Sequence, residues 1–117
     1  MGPCILDLPR EAFYHARVTE KEFVIPLDLN ARMRVRHRVE KGQVKAFAVQ
    51  LEVLFARRWT PVVRYDTAHD FAHRDLYSKD GKQLKTPLGM DFKQARTFVQ
   101  KDILANWQEY RRIFLEE

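Results

Sequence analysis

The stretch ARMRVRHRVEKGQVKAFAVQLEVLF, residues 31–55, decides the fold of this 117-residue chain. Residues 31–39 alternate strictly, which is typical of a half-buried strand with one polar face. The polar parity is a stripe of Arg32, Arg34, Arg36 and Arg38. His37 falls on the apolar parity, so we expect a core histidine with satisfied hydrogen bonds. Residues 45–55 place large apolar side chains at every second position and predict the central strand of an antiparallel sheet.

The turn between these two strands sets their register. A two-residue loop at Lys41-Gly42 would put Arg36 opposite Phe47 and mix the two faces. A three-residue loop, Glu40 to Gly42, pairs Val35 with Phe47 and keeps apolar side chains together. We therefore predict the three-residue loop, with Gly42 in a left-handed conformation.

The rest of the chain predicts more strands and one long helix. Strands are expected over residues 59–67 and 71–78, with a short one over 83–86. Asp91 is a helix N-cap with Gln94 three residues later. The helix after it carries an apolar stripe at steps of three and four: Phe92, Ala95, Val99, Ile103, Trp107, Tyr110 and Phe114. Such a stripe packs on a sheet.

The predicted fold class is α+β, in a single domain over residues 1–117. An antiparallel β-meander of about four to five strands occupies residues 31–86, and the long C-terminal helix, residues 91–115, packs on one face. The N-terminal segment, residues 1–30, has the weakest pattern. It predicts a short helix over Pro9–Ala16 and a strand over Glu22–Leu29 that is interrupted at Pro26.

Composition points to a soluble protein with an anionic partner. The net charge is +5, but residues 31–64 alone hold nine basic and two acidic residues, a local charge of +7. Such a surface favours RNA binding. The single cysteine excludes an intramolecular disulfide. No apolar run is long enough to span a membrane, and no secretory signal is visible, so a cytoplasmic location is expected. The glycines are scattered, and neither a cofactor nor a metal is predicted.

The stretch RYDTAHDFAHRDLY, residues 64–77, concentrates ionisable side chains in a predicted hairpin. If its strands join through residues 67–70, Arg64 faces His73 and Asp66 faces Phe71. One face then carries Arg64, Asp66, His73 and Asp75, and the other carries Val63, Tyr65, Ala72 and Leu76. The second set is apolar enough to pack under the helix, so we expect the first set to be open to solvent.

A metal-independent ribonuclease is one chemical interpretation of this hairpin. His73, or His69 on the turn, would move protons, because histidine titrates near the operating pH. Arg64 would stabilise charge developing on phosphate, and Asp66 or Asp75 would orient the imidazole. The residues expected to hold the RNA backbone are Arg32, Arg34, Arg36, Arg38 and Lys45.

Three other interpretations stay open. His69 and His73 with Asp66 or Asp70 would bind a metal, but two histidines on a hairpin need not converge. Alternatively, the ion pairs and histidines are structural and stabilise the turn. In the last interpretation, the basic face and the hairpin recognise a partner without turnover, as a non-catalytic interaction module.

The segments VRHRVEKGQV, LEVLF, RYDTAHDFAHRDLY, SKDGK, TPLG and ILANWQEYRRIF resemble a family of small uncharacterised prokaryotic domains, over residues 22–115. Those domains carry an Arg-Tyr-Asp-x-Ala-His-x-x-x-His hairpin and are in turn similar to TumE-type toxins of toxin–antitoxin systems. The resemblance implies an RNA-targeting toxin neutralised by a cognate antitoxin protein. The matching positions are Arg64, Tyr65, Asp66, Ala68, His69 and His73. The residue after the first histidine is usually glycine, and Asp70 here opposes a phosphate contact by His69.

Overall fold

The computed structural model describes residues 18–116 as one antiparallel sheet and one long helix. The strands are β1 (Val18–Asp28), β2 (Ala31–Glu40), β3 (Gln43–Phe55), β4 (Arg58–Asp66), β5 (His73–Tyr77) and β6 (Gln83–Pro87), and the helix is α1 (Phe92–Glu116). The strands lie in chain order, so the sheet is a meander. It has six strands where four to five were predicted. The short helix predicted over Pro9–Ala16 lies outside the described residues.

The sixth strand is β1, which comes from the weakly patterned N-terminal segment. It pairs with β2 along nearly its whole length and is not interrupted at Pro26. An edge strand tolerates proline because its outer N–H groups have no ladder partner to lose. The chain bulges between Pro26 and Asp28 instead, and the pairing continues.

The predicted three-residue loop between β2 and β3 is wrong. Lys41 and Gly42, with φ of 51° and 77°, form a two-residue turn, and Val35 pairs with Val49 rather than Phe47. A bulge after Arg38 restores the parity that a two-residue loop would otherwise break. The predicted faces are therefore correct although the partners are shifted by two residues.

The predicted pairing of the β4–β5 hairpin is wrong in the same way. Asp66 pairs with His73, and Arg64 pairs with Asp75. The connection is longer than predicted because it contains a short 3₁₀ turn, Ala68–Asp70, in which His69 has a left-handed φ of 65°. The shift is again two residues, so the four polar side chains keep one face and Tyr65 keeps the other.

Helix α1 covers one face of the sheet, as predicted. The Asp91 carboxylate accepts a hydrogen bond from the Gln94 N–H at 2.8 Å, which confirms the N-cap. The helix buries Ala95, Val99, Ile103 and Phe114 against a sheet layer of Met33, Val35, Phe47, Val49, Leu51, Val53, Val63 and Tyr65. Phe92, Trp107 and Tyr110 are half-buried at the edge of this core. Within residues 18–116, no helix is long and apolar enough to cross a membrane.

A polar contact anchors the middle of α1 to the sheet. Tyr65 and Tyr110 both donate hydrogen bonds to Asp102 Oδ2, each at 2.5 Å. Burial raises the pKa of both tyrosines, and the Asp102 carboxylate raises them further. Arg74, the charged residue on the helix side of β5, lies beside the two hydroxyls, which raise its pKa against the effect of burial. The helix side of the hairpin is thus structural.

Candidate functional site

The face of the sheet opposite α1 carries a continuous network of polar side chains, which we call the polar ladder. It begins on β2, crosses β3, β4 and β5, and ends on β6. Its members in spatial order are Arg32, Arg34, Glu52, Gln50, Arg64, Asp66, His73, Asp75 and Lys85. Side chains on one face of neighbouring strands stand close enough to pair. The alternation of side chains along each strand, which the sequence sets, places the members of the ladder on one face.

Two arginines of the predicted RNA-binding stripe are neutralised within the ladder. Glu52, only 6% exposed, accepts a hydrogen bond from Arg32 Nε at 2.6 Å and one from Arg34 Nε at 3.3 Å. Gln50 donates a third at 2.6 Å. Burial would raise the pKa of Glu52, but these donors outweigh it and lower the pKa. Arg32 also stacks on Trp59, 4.1 Å from the ring centre.

The other two arginines of the stripe are exposed and line a groove. Arg38 makes an exposed ion pair with Glu40 at 3.3 Å, while Arg36 has no polar partner anywhere in residues 18–116. The groove has a volume of about 330 Å³. Its floor includes Ala46 and Ala48 and its walls include Arg36, Arg38, Arg64 and Asp66. The two alanines leave a depression because their larger neighbours flank them on β2 and β4.

The hairpin brings Asp66, His73 and Asp75 into one cluster, which we call the Asp-His-Asp cluster. His73 Nε2 lies 2.7 Å from Asp66 Oδ1 and 3.5 Å from Asp75 Oδ2. His73 Nδ1 lies 3.2 Å from the Phe71 carbonyl oxygen. Because a carbonyl oxygen only accepts, Nδ1 is the protonated nitrogen in this contact. The Lys85 ammonium lies 3.4 Å from Nε2.

The expectation that these side chains are open to solvent is wrong for three of the four. Asp66 is 8% exposed, His73 1% and Asp75 3%, and the Phe71 ring lies 5.1 Å from the His73 ring, centre to centre. Only Arg64 is half-exposed. Direct contact between His73 and a bound substrate is therefore not available in this structure.

Arg64 connects the Asp-His-Asp cluster to the groove. Its Nε donates to Asp66 Oδ2 at 2.7 Å and its Nη1 donates to Gln50 at 3.2 Å. Burial tends to raise the pKa of Asp66, but hydrogen bonds from Arg64 and from the Ala68 N–H outweigh it, so the pKa is lowered. Asp66 is thus held as a carboxylate. Burial, followed by the nearby Asp75 charge, raises the pKa of Tyr77.

Two predicted site residues stay outside this arrangement. His69 is exposed on the 3₁₀ turn, has no polar partner among the described residues and is not a member of the Asp-His-Asp cluster. Lys45 lies at the bulge of β3 and donates to Gln43 at 3.1 Å. His37 is half-buried against Phe23, but its Nδ1 has no hydrogen-bond partner within residues 18–116, so the prediction of a satisfied core histidine is wrong.

Three members of the ladder were missed by sequence reasoning. Gln50 and Glu52 interrupt the otherwise apolar central strand, and their shared parity was the available signal. Lys85 reaches the cluster only because β6 pairs Lys85 with Asp75. Nothing in the short segment 83–86 marks that contact.

A family model for a domain of unknown function, DUF7718, matches residues 18–117 of the chain. The chain belongs to the DUF7718 family. The match covers all six strands and the helix, so the whole described fold is the DUF7718 domain. No curated protein and no solved structure matches the chain. The family description assigns no activity.

Proposed function

We propose that this DUF7718 domain binds RNA through the groove on the open face of its sheet. Arg36 carries the proposal, because it is a cation without a polar partner in residues 18–116 and lies at the edge of a groove with an alanine floor. An exposed guanidinium is suited to a phosphate, since its planar donors match two phosphate oxygens.

The opposite wall of the groove adds a second cation. Arg64 lies on β4, two strands away from Arg36 on β2, and two strand spacings amount to about 10 Å. Its ion pair with Asp66 fixes the direction of its guanidinium. One positioned arginine and one exposed arginine on either side of a groove are suited to the backbone of a single strand.

The burial of the Asp-His-Asp cluster favours binding without turnover. A general base has to come within hydrogen-bond distance of the proton that it removes, and His73 is 1% exposed. The cluster therefore supports the groove wall through Asp66 and Arg64. The resemblance to TumE-type toxins fits a toxin-like, RNA-targeting role and a cognate antitoxin as a protein partner, both of which belong to the same proposal.

The test is an RNA-binding titration by fluorescence anisotropy over a series of salt concentrations. Arg36→Gln should weaken binding and lower the slope of log K against log[salt] by about 0.7, the value for one phosphate contact on a single strand. Arg58→Gln is the matched control, because Arg58 is exposed at the far end of β4 and lies outside the groove.

The proposal fails if the wild type does not bind RNA at low salt, or if both variants change the slope equally. Incubation of the same RNA with the wild type checks turnover. Intact RNA agrees with a binding module. If the wild type cleaves the RNA and a folded His73→Gln variant does not, the protein is a ribonuclease and the proposal of binding without turnover is wrong.

A further inference from the structure

We propose that Asp66, His73 and Asp75 form a binding site for a divalent transition-metal cation such as Mn²⁺ or Zn²⁺. Each of the three residues offers one ligand atom, and these atoms lie within 4.8 Å of one another. One imidazole and two carboxylates make a donor set that suits these two ions. This proposal goes beyond RNA binding and does not depend on it.

The state of the His73 ring fits a metal ligand. Nδ1 faces the Phe71 carbonyl oxygen, so the lone pair of the neutral ring is on Nε2, which points at the two carboxylates. Metal-binding histidines commonly donate their other N–H to a backbone carbonyl in this way. The 2.7 Å contact between Nε2 and Asp66 Oδ1 requires a cation between the two atoms, either a proton on Nε2 or a metal ion in its place.

Asp75 gives a second and independent indication of a ligand. The residue is 3% exposed, and its Oδ1 is buried without a hydrogen-bond partner in residues 18–116. A buried carboxylate oxygen without a donor is costly, and a bound cation removes that cost. Among the described residues, the Lys85 ammonium forms a long ion pair with this oxygen, at 3.9 Å.

The two distances from His73 Nε2 are compatible with a shared ion. Two ligand atoms that are each about 2.1 Å from one metal lie about 3.0 Å apart at a right angle and about 3.4 Å apart at the tetrahedral angle. The distance from His73 Nε2 to Asp75 Oδ2, 3.5 Å, already fits. The distance from Nε2 to Asp66 Oδ1, 2.7 Å, has to open by a few tenths of an ångström.

Lys85 competes with the cation and makes the site adjustable. Its ammonium lies next to Nε2 and Asp75, but its side chain is 40% exposed, so it is free to turn towards solvent. Removing this charge should strengthen metal binding, because two positive charges about 4 Å apart repel each other.

The first experiment locates the ion in the untagged wild-type chain by NMR. Substoichiometric Mn²⁺ should broaden the backbone amide signals of residues 66, 73 and 75 before all others. Early broadening only around the exposed residues 69–70 or 78–82 would overturn the proposal, as would no broadening at all.

The second experiment compares affinities by calorimetric titration with Mn²⁺ and, separately, with Zn²⁺. Lys85→Met should bind about tenfold more tightly than the wild type, while Lys82→Met, the matched control in the adjacent turn, should bind like the wild type. Asp75→Asn should bind at least about tenfold more weakly. If Asp75→Asn does not fold, the Lys85→Met comparison decides, and equal affinities of the two lysine variants overturn the site.

Discussion

Replacing His73 with alanine distinguishes a structural cluster from a catalytic one. The variant loses the contact of Nε2 with Asp66 at 2.7 Å and the contact of Nδ1 with the Phe71 carbonyl at 3.2 Å. It also leaves Asp66 and Asp75 as two buried like charges without the ring between them. We therefore expect the variant to be much less stable than the wild type.

The magnitude follows from the burial of these groups. A hydrogen bond to a charged partner contributes about 1.5–3 kcal/mol, and an unsatisfied buried group costs about 1–3 kcal/mol. Arg64 still neutralises Asp66 in the variant, so the two contributions do not add in full. We expect the free energy of unfolding to fall by about 3 kcal/mol, a large part of the 5–15 kcal/mol typical of a small domain.

Urea unfolding followed by far-UV circular dichroism measures this change. With a slope of about 2 kcal/mol per molar urea, the midpoint should fall by about 1.5 M. His69→Asn is the control, since His69 is exposed and asparagine tolerates its left-handed φ, and its effect should stay within about 0.5 kcal/mol. If His73→Ala unfolds at the wild-type midpoint, the structural account of the cluster is wrong.

One further substitution and one pH series test the other polar contacts. Asp102→Ala removes the shared acceptor of Tyr65 and Tyr110 and should lower the free energy of unfolding by about 2–3 kcal/mol, measured in the same urea assay; an unchanged midpoint would contradict the anchoring role of that contact. The pKa values of Asp66 and Glu52 are lowered from 3.8 and 4.5, so their stabilisation is complete above those values and is lost as the pH falls below them. The thermal midpoint should therefore decrease between about pH 5 and pH 3, and a flat profile over that range would count against both ion pairs.

Strand parity was predictable from the sequence, while strand register was not. Strict alternation in residues 31–39 assigned every arginine of β2 to the face away from the helix, and the structure agrees. Register depends on bulges, such as the one after Arg38, and on the length of the turn after Asp66. No single residue marks either feature. Both errors were shifts by two residues, because only an even shift keeps the apolar faces together.

The alternation of residues predicted which face the hairpin side chains occupy but not that they are buried. The alternation of side chains along β5 places His73 on the face away from the helix, and a sheet face that no helix covers is expected to be exposed to solvent. Instead, other side chains of the same face, notably Phe71 and Lys85, cover His73. Their positions depend on the 3₁₀ turn and on the pairing of β6, which are non-local consequences of the fold.

The charge of the open face is smaller than the sequence count implies, and the reason is Glu52. The buried Glu52 carboxylate on the central strand is paired with Arg32 and Arg34 of β2. A phosphate could bind either arginine only by replacing its hydrogen bond to Glu52. Arg36 faces Ala48 on the same strand, where no such acceptor exists. Arg32 lies opposite Glu52 and Arg34 opposite the adjacent Gln50, whereas Arg36 and Arg38 lie opposite alanines. The arginines near Glu52 are therefore paired with β3, and the two opposite alanines line the groove. The same two alanines, Ala46 and Ala48, form the floor of the groove.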